Sequence, residues 1–181
     1  METGKTLDHR SIYKGKVVDL SVDRVELPNG EIAELEVIRH PGAAAMVPVG
    51  AEGEVYLVRQ YRYATGTWLL EVPAGKLDAG ELPGDCAPRE LEEEVGVRAS
   101  DWVALGWIWT TPGFTDEKIH LYLARDLVPA TQNLQADEVL SVVSMPFETA
   151  IERVHEGEIC DAKSVCSLLR ADQFLRNERG V

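Results

Sequence analysis

The amino-acid sequence predicts an α+β protein, an α/β/α sandwich with a mixed central sheet and an N-terminal antiparallel hairpin. Short segments of alternating or continuous apolar residues dominate the first half of the chain. A single helical pattern interrupts them near the middle, and two amphipathic helical patterns end the chain. With 181 residues, of which 45% are hydrophobic and 27% charged, the chain is long enough for one domain with a core and an extension.

The N-terminal residues 1–40 are predicted to form a region of their own. Residues 11–27 and 31–39 alternate apolar and polar side chains, and the Pro-Asn-Gly sequence between them is a strong turn signal. An isolated hairpin buries little apolar surface. We therefore expect this region to pack on the rest of the chain, residues 41–181, or on a second copy.

The remaining elements follow from apolar runs bounded by turn residues. Strands are predicted at 43–49, 54–61, 68–72, 101–109, 118–125 and 139–145, and closing helices at 147–156 and 162–176. Asp161 is the expected N-cap of the last helix. The side chains predicted to face the core from that helix are Val165, Leu168, Leu169 and Leu175.

The stretch GKLDAGELPGDCAPRELEEEVGV, residues 75–97, carries the chemistry. On a helix, Glu90, Glu93 and Glu94 share one face, because residues three and four positions apart are neighbours. Carboxylate oxygens held together in this way are the ligands that Mg²⁺ or Mn²⁺ prefers. A run of glutamates alone would more simply be a solvated surface, but the glycines and the separate Glu81 at fixed offsets favour a metal site. An apolar stripe beside it predicts the core-facing side, at Ala87, Leu91 and Val95.

Pro88 affects where this helix is expected to begin. Proline inside a helix lacks an N–H and clashes with the preceding turn. We therefore predict a late start with Asp85 as N-cap, preceded by an irregular or 3₁₀ segment over 82–84.

The charge and the cysteines limit the function classes. A formal net charge of −13 argues against nucleic acid, whose backbone binds basic surfaces. It is compatible with an anionic phosphate substrate when divalent cations lie between the substrate and the carboxylates. No apolar run is long enough to cross a membrane, so no membrane partner is expected. Three cysteines, an odd number without metal-ligand spacing, favour a reducing cytoplasm.

Residues 75–97 resemble a complete Nudix box, the strand-loop-helix metal site of the Nudix hydrolases. Residues 57–81, 110–118 and 157–165 are similar to the ADP-ribose pyrophosphatase branch. The resemblance implies the Nudix fold, a homodimer that exchanges its N-terminal region, and hydrolysis of a nucleoside diphosphate linked to another moiety.

The box also implies a set of metal ligands. Glu90 and Glu94 are assigned as direct ligands of two or three Mg²⁺ or Mn²⁺ ions, and Glu93 as a ligand or a supporting residue. The resemblance adds the backbone carbonyl of Ala74 and an assisting role for Glu71.

Arg89 is expected to orient the glutamates. Glu81 is auxiliary through water or metal, with loop stabilisation as the alternative. The general base implied by the resemblance is a glutamate in a late loop, here Glu138 rather than the neighbouring Asp137. Glu93 or Glu90 takes that role if Glu138 is only a surface residue.

The resemblance places substrate contacts outside the box. Arg62 is expected on the phosphates of the nucleotide, with a surface ion pair as the alternative. Pro112 lies near the position, counted from Val97 at the end of the box, where a proline marks preference for ADP-ribose in this family. A proline here also forms turns. Glu117 is expected to reach a ribose hydroxyl, whereas the residue that stacks on the base stays unnamed.

The resulting hypothesis is a metal-dependent ADP-ribose pyrophosphatase that releases AMP and ribose 5-phosphate. One alternative is cleavage of another sugar nucleotide, such as GDP-mannose. A second alternative, from a different class, is a non-catalytic module that senses ADP-ribose. The intact box and the absence of a basic C-terminal cluster argue against the sensor.

Overall fold

The N-terminal residues form a three-stranded antiparallel sheet in the computed structural model, which describes residues 3–136 and 138–180. Its strands, in sheet order, are β1 (Lys5–Lys14), β2 (Asp19–Glu26) and β3 (Ile32–Arg39). The predicted hairpin is present as β2 and β3, which pair along their whole length. Its turn depends on Gly30, whose φ of 85° is a conformation that side chains with a Cβ rarely adopt.

The prediction of one continuous strand over 11–27 is wrong. The chain reverses after Lys14, where the N–H of Gly15 donates to the carbonyl of Val18 at 2.8 Å. The first part of the segment therefore belongs to β1, which pairs with β2. The turn falls at Lys14, Gly15 and Lys16, a polar interruption of the apolar pattern that contains a turn-forming glycine.

The N-terminal sheet and Trp109–Lys118 form one compact unit, and the second unit contains Ala43–Ile108 and the chain from Ile119 onward. The elements that follow β3 are β4 (Ala43–Pro48), β5 (Glu54–Arg62), β6 (Thr67–Glu71), β7 (Ala74–Lys76), α1 (Pro83–Val95), β8 (Val97–Trp109), β9 (Lys118–Pro129), β10 (Leu140–Pro146), α2 (Phe147–His155) and α3 (Ala162–Arg179).

The central sheet has the strand order β7-β4-β9-β8 and is mixed, as predicted. Strand β4 pairs in parallel with β9 and antiparallel with β7. A second sheet has the order β10-β5-β6. Along β4, Ala43, Ala45 and Val47 join a core with α2 and α3, whereas Ala44 and Met46 join a core with α1. Because successive strand residues point to opposite faces, helices cover both sides, which confirms the predicted sandwich.

Helix α1 begins earlier than predicted. Its N-cap is Leu82, Pro83 occupies the first turn, and Pro88 lies inside the helix, so the prediction of Asp85 as N-cap is wrong. Proline suits the first turn, where the missing N–H has no helical acceptor. At Pro88 the lost bond would have used the carbonyl of Gly84, and both residues are exposed, so water can satisfy that carbonyl.

Helix α3 has the predicted N-cap, since the side chain of Asp161 accepts a hydrogen bond from the N–H of Ser164. The face that it buries is only partly the predicted one, since Leu175 packs against the core as expected. Leu168 is buried, but Leu169 is exposed, and the other buried positions are small residues, Ser164, Ser167 and Ala171. Among the helices of the described residues, none combines the length and apolar character needed to cross a membrane.

Candidate functional site

Helix α1 holds the acidic face of the candidate site against the core. The predicted stripe, Ala87, Leu91 and Val95, is buried as expected. Its neighbours on the helix include two buried carboxylates, since Glu90 is 5% exposed and Glu94 is 3% exposed. Glu93 is only partly buried. The arrangement differs from a solvated acidic surface, because burying a carboxylate costs free energy unless a partner compensates it.

Strand β7 lies directly against these two carboxylates. The backbone N–H of Ala74 donates to Oε2 of Glu94 at 3.0 Å. At the next residue, a Cβ built on Gly75 would overlap the carboxyl group of Glu90. Only glycine therefore leaves room for the carboxyl group of Glu90 in the position that it occupies.

Arg89 binds the glutamates around it. Its guanidinium forms a two-point ion pair with Glu81, with both N···O distances at 2.8 Å, and donates to Oε1 of Glu90 at 2.7 Å. A longer contact of 3.5 Å reaches Glu93. The hydrogen bonds from Arg89 lower the pKa of Glu81 to about 2, and the N–H of Asp78 adds to the effect. Glu81 thus connects the loop to the helix as a permanent anion.

The buried carboxylates are electrostatically unfavourable as anions. Burial raises the pKa of Glu94 to about 8, and the charges of Glu90 and Glu138 add to that increase. Burial also raises the pKa of Glu90, although Arg89 opposes the effect. Carboxylates in such surroundings gain from a nearby cation, because the cation favours their charged form.

Glu71 lies at the end of β6 in a second charged cluster. It is 1% exposed and forms a two-point ion pair with Arg62, at 2.9 and 2.7 Å. Lys163 also donates to Glu71 and to Oδ2 of Asp161. Burial raises the pKa of Glu71, but the hydrogen bond from Arg62 and the contact with Lys163 bring it below its usual value. Lys163 is not among the predicted site residues, although it lies in the stretch 157–165, which carries part of the family resemblance.

Glu138 is partly buried and organises its own turn. Its carboxylate accepts a hydrogen bond from the N–H of Gln135 at 2.8 Å, and its N–H donates to the carbonyl of the same residue. Its charge adds to those that raise the pKa of Glu90 and Glu94. Asp137 lies outside the described residues.

Pro112 and Glu117 belong to Trp109–Lys118, in the unit that contains the N-terminal sheet. Glu117 accepts a hydrogen bond from the hydroxyl of Thr110 at 2.8 Å and lies 3.5 Å from the ring of His40. The neighbouring Asp116 accepts from the N–H of His40. These contacts attach the segment to the end of β3.

The carboxylate oxygens of this site are donors that suit a hard divalent cation, although they are not gathered around one point. Within residues 3–136 and 138–180, no three His, Cys, Asp or Glu side chains are close enough together to form a ready-made metal site. Arg89 holds Glu90, and strand β7 holds Glu94. Glu90 and Glu94, two buried carboxylates one helical turn apart, nevertheless provide the oxygen donors that such ions bind. They lie beside Gly75, where a larger side chain would not fit. Burial raises the pKa of the Cys86 thiol to about 12, so without a metal this thiol is neutral at ordinary pH.

The chain is similar to several known proteins. A family model described as NUDIX domain matches residues 39–168. An ADP-ribose pyrophosphatase of Bacillus subtilis is 40% identical over 166 residues, covering 91% of this chain and 90% of the relative. A methanol dehydrogenase activator of Bacillus methanolicus has the same identity and coverage. A solved structure described as an ADP compounds hydrolase superimposes with a TM-score of 0.86 at 24% identity, covering 100% of this chain and 98% of the other, and shows the fold. The resemblance inferred from residues 75–97 is confirmed.

Proposed function

Because the chain belongs to the NUDIX domain family, we propose that it is a metal-dependent hydrolase that splits ADP-ribose into AMP and ribose 5-phosphate. The observation that carries the proposal is the buried pair Glu90 and Glu94 against Ala74 and Gly75. The name of the Bacillus subtilis relative supports the choice of substrate.

Nudix hydrolases generally need divalent metal ions, and the donors of this chain fit them. We propose that Glu90 and Glu94 are ligands of two or three Mg²⁺ or Mn²⁺ ions. Glu93 and the backbone carbonyl of Ala74 complete the set of ligands, and Glu71 assists. Such ions neutralise phosphate oxygens and lower the pKa of bound water.

The protein groups around this site position the ligands and handle the proton. Arg89, held by Glu81, keeps the carboxylate of Glu90 oriented towards β7. The carboxylate of Glu138 is the proposed acceptor of the proton from the attacking water, with Glu93 or Glu90 as the alternative. The effect of the Glu138 charge on the pKa of both buried glutamates supports this assignment.

Substrate recognition is proposed to use Arg62, Pro112 and Glu117. The Nε and Nη2 atoms of Arg62 are held by Glu71, so the guanidinium is pre-oriented and loses little conformational freedom on binding a phosphate. Glu117 offers its carboxylate to a ribose hydroxyl, and Pro112 shapes the same segment.

The N-terminal region, residues 1–40, is proposed to serve dimerisation and substrate binding, and the protein is proposed to be a cytoplasmic homodimer. The apolar side chains exposed on the N-terminal strands support this role, since a second chain could cover them. They include Leu7, Ile12, Ile32 and Leu35.

The test is a panel of nucleoside diphosphate derivatives with Mg²⁺ or Mn²⁺, with products identified by mass. We expect ADP-ribose to give AMP and ribose 5-phosphate faster than GDP-mannose gives its products. Glu94→Gln should lower turnover by more than about a hundredfold, since even residues behind a metal ligand can cost that much. The matched control is Glu92→Gln on the same helix, where Glu92 pairs with Arg98 and should be dispensable. Preference for GDP-mannose, or near-normal turnover by Glu94→Gln, would refute the proposal.

A second candidate function has its own observation. The methanol dehydrogenase activator matches this chain as well as the pyrophosphatase does. Adding the protein to a methanol dehydrogenase assay tests it: stimulation that Glu94→Gln abolishes would mean that the same site also serves activation.

A further inference from the structure

The stretch GEICDAKSV, residues 157–165, has no part in the function proposed above. In the structure it contains the N-cap of α3, Asp161, and the first helical turn behind it. Two side chains of this turn contact the end of β6 and the segment that follows it: Lys163 binds Glu71, the last residue of β6, and Ser164 binds Val72.

Ser164 holds the backbone of this segment. Its hydroxyl accepts a hydrogen bond from the N–H of Val72 at 2.8 Å, and both residues are fully buried. A buried backbone N–H needs an acceptor, because leaving it without one costs free energy. The side chain of Ser164 thereby determines where the chain leaves β6.

Lys163 holds the side chain of the preceding residue, Glu71. Its ammonium group binds the buried carboxylate of Glu71 and, at 2.8 Å, the N-cap carboxylate of Asp161. Arg62 pairs with both oxygens of the same carboxylate. The end of β6 is thus fixed by an ion pair as well as by a backbone hydrogen bond.

The segment that α3 holds also contacts α1, the helix that carries the proposed metal ligands. Two residues after Val72, the N–H of Ala74 donates to Glu94, and Gly75 contacts Glu90. Between them, the carbonyl of Pro73 accepts a hydrogen bond from the N–H of Met46 on β4. Residues 71–75 therefore connect the first turn of α3 to the two buried carboxylates of α1.

We propose that Ser164 and Lys163 are positioning residues of the metal site, which fix residues 71–75 so that Ala74 can orient Glu94. This inference rests on the proposed function. It differs from a plain stabilising role in one measurable respect. A brace that only stabilises the fold leaves the metal affinity of the folded protein unchanged, whereas a positioning residue sets that affinity.

The matched pair of variants is Ser164→Ala and Ser167→Ala. Both serines lie on α3 and are fully buried, but the hydroxyl of Ser167 has no hydrogen-bond partner among the described residues. Mn²⁺ affinity is measured without substrate, from the electron paramagnetic resonance signal of free Mn²⁺. We expect Ser164→Ala to weaken Mn²⁺ binding by about tenfold, the usual effect of removing a residue that supports a ligand. Ser167→Ala should bind as the wild type does.

Lys163 provides the independent second test. Lys163→Met should weaken Mn²⁺ binding in the same direction, and Lys163→Arg, which keeps the cation, should recover part of the loss. The Mn²⁺ concentration for half-maximal activity should rise in Ser164→Ala, while KM for ADP-ribose at saturating Mn²⁺ stays near the wild-type value.

Equal Mn²⁺ affinity in Ser164→Ala and Ser167→Ala would overturn the inference, whatever their unfolding temperatures. If Lys163→Met does not fold, the serine pair decides. A wild-type protein that binds Mn²⁺ but does not hydrolyse ADP-ribose overturns the proposed substrate only, because the comparison of Mn²⁺ affinities still applies. A wild-type protein that binds no Mn²⁺ overturns both.

Discussion

The buried carboxylate of Glu94 should make metal-free protein less stable as the pH rises. Its folded-state pKa is about 8, against 4.5 for the unfolded chain. Between these values the folded state binds more protons than the unfolded state, so the free energy of unfolding decreases with increasing pH. At about 1.4 kcal/mol per pH unit, the loss from about pH 5 to about pH 8 amounts to at most about 4 kcal/mol. Glu90, whose pKa is also raised, acts in the same direction.

Glu94→Gln removes the titrating group and nearly keeps its shape. We expect the variant, unfolded with urea in the presence of EDTA, to lose much less stability over this pH range than the wild type does. At the alkaline end it should be the more stable of the two. Saturating Mn²⁺ should reverse that order, because a ligand that binds only the folded state at a hundred times its Kd adds about 2.7 kcal/mol.

Urea unfolding is followed by tryptophan fluorescence at several pH values. Glu92→Gln is the control, because pairing with Arg98 lowers the pKa of Glu92 and places its titration below this range. If wild type and Glu94→Gln lose equal stability between about pH 5 and about pH 8, the carboxylate is not held as an unfavourable buried anion, and the reasoning fails.

Two further predictions concern the surroundings of the buried pair. Gly75→Ala should abolish Mn²⁺ binding measured by calorimetry, because the added Cβ displaces Glu90. Gly84→Ala is the control, since open space surrounds that position. It should leave Mn²⁺ binding intact and stabilise α1 by about 0.5–1 kcal/mol. Arg89→Lys should lower kcat by about tenfold or more, since a lysine cannot reproduce the two-point pair with Glu81, and steady-state kinetics would contradict this if kcat were unchanged.

Much of the fold could be predicted because its signals are local. Turn residues and alternation located β3 and most core strands, and the apolar stripe of α1 gave the buried side of that helix correctly. The errors arose where a local signal had two interpretations. Pro88 suggested a late helix start, but an exposed turn tolerated it.

The charged cluster around Glu71 was beyond sequence reasoning. Lys163 and Glu71 are separated by 92 positions in the chain, and Ser164 is equally far from Val72. Lys163 reaches the last residue of β6, and Ser164 the residue after it, only because α3 packs on the core that β4 shares. No periodicity in the sequence specifies which side chain of a helix meets which strand end.

The sequence by itself determined the acidic face of α1, because helical spacing alone places Glu90, Glu93 and Glu94 side by side. Only the tertiary structure decided that Glu90 and Glu94 are buried and that Glu93 is not. Burial of these carboxylates depends on which residues of β7 and its neighbours pack against the helix. A carboxylate that would be an ordinary anion in water becomes, once buried, an unfavourable anion that a divalent cation can stabilise.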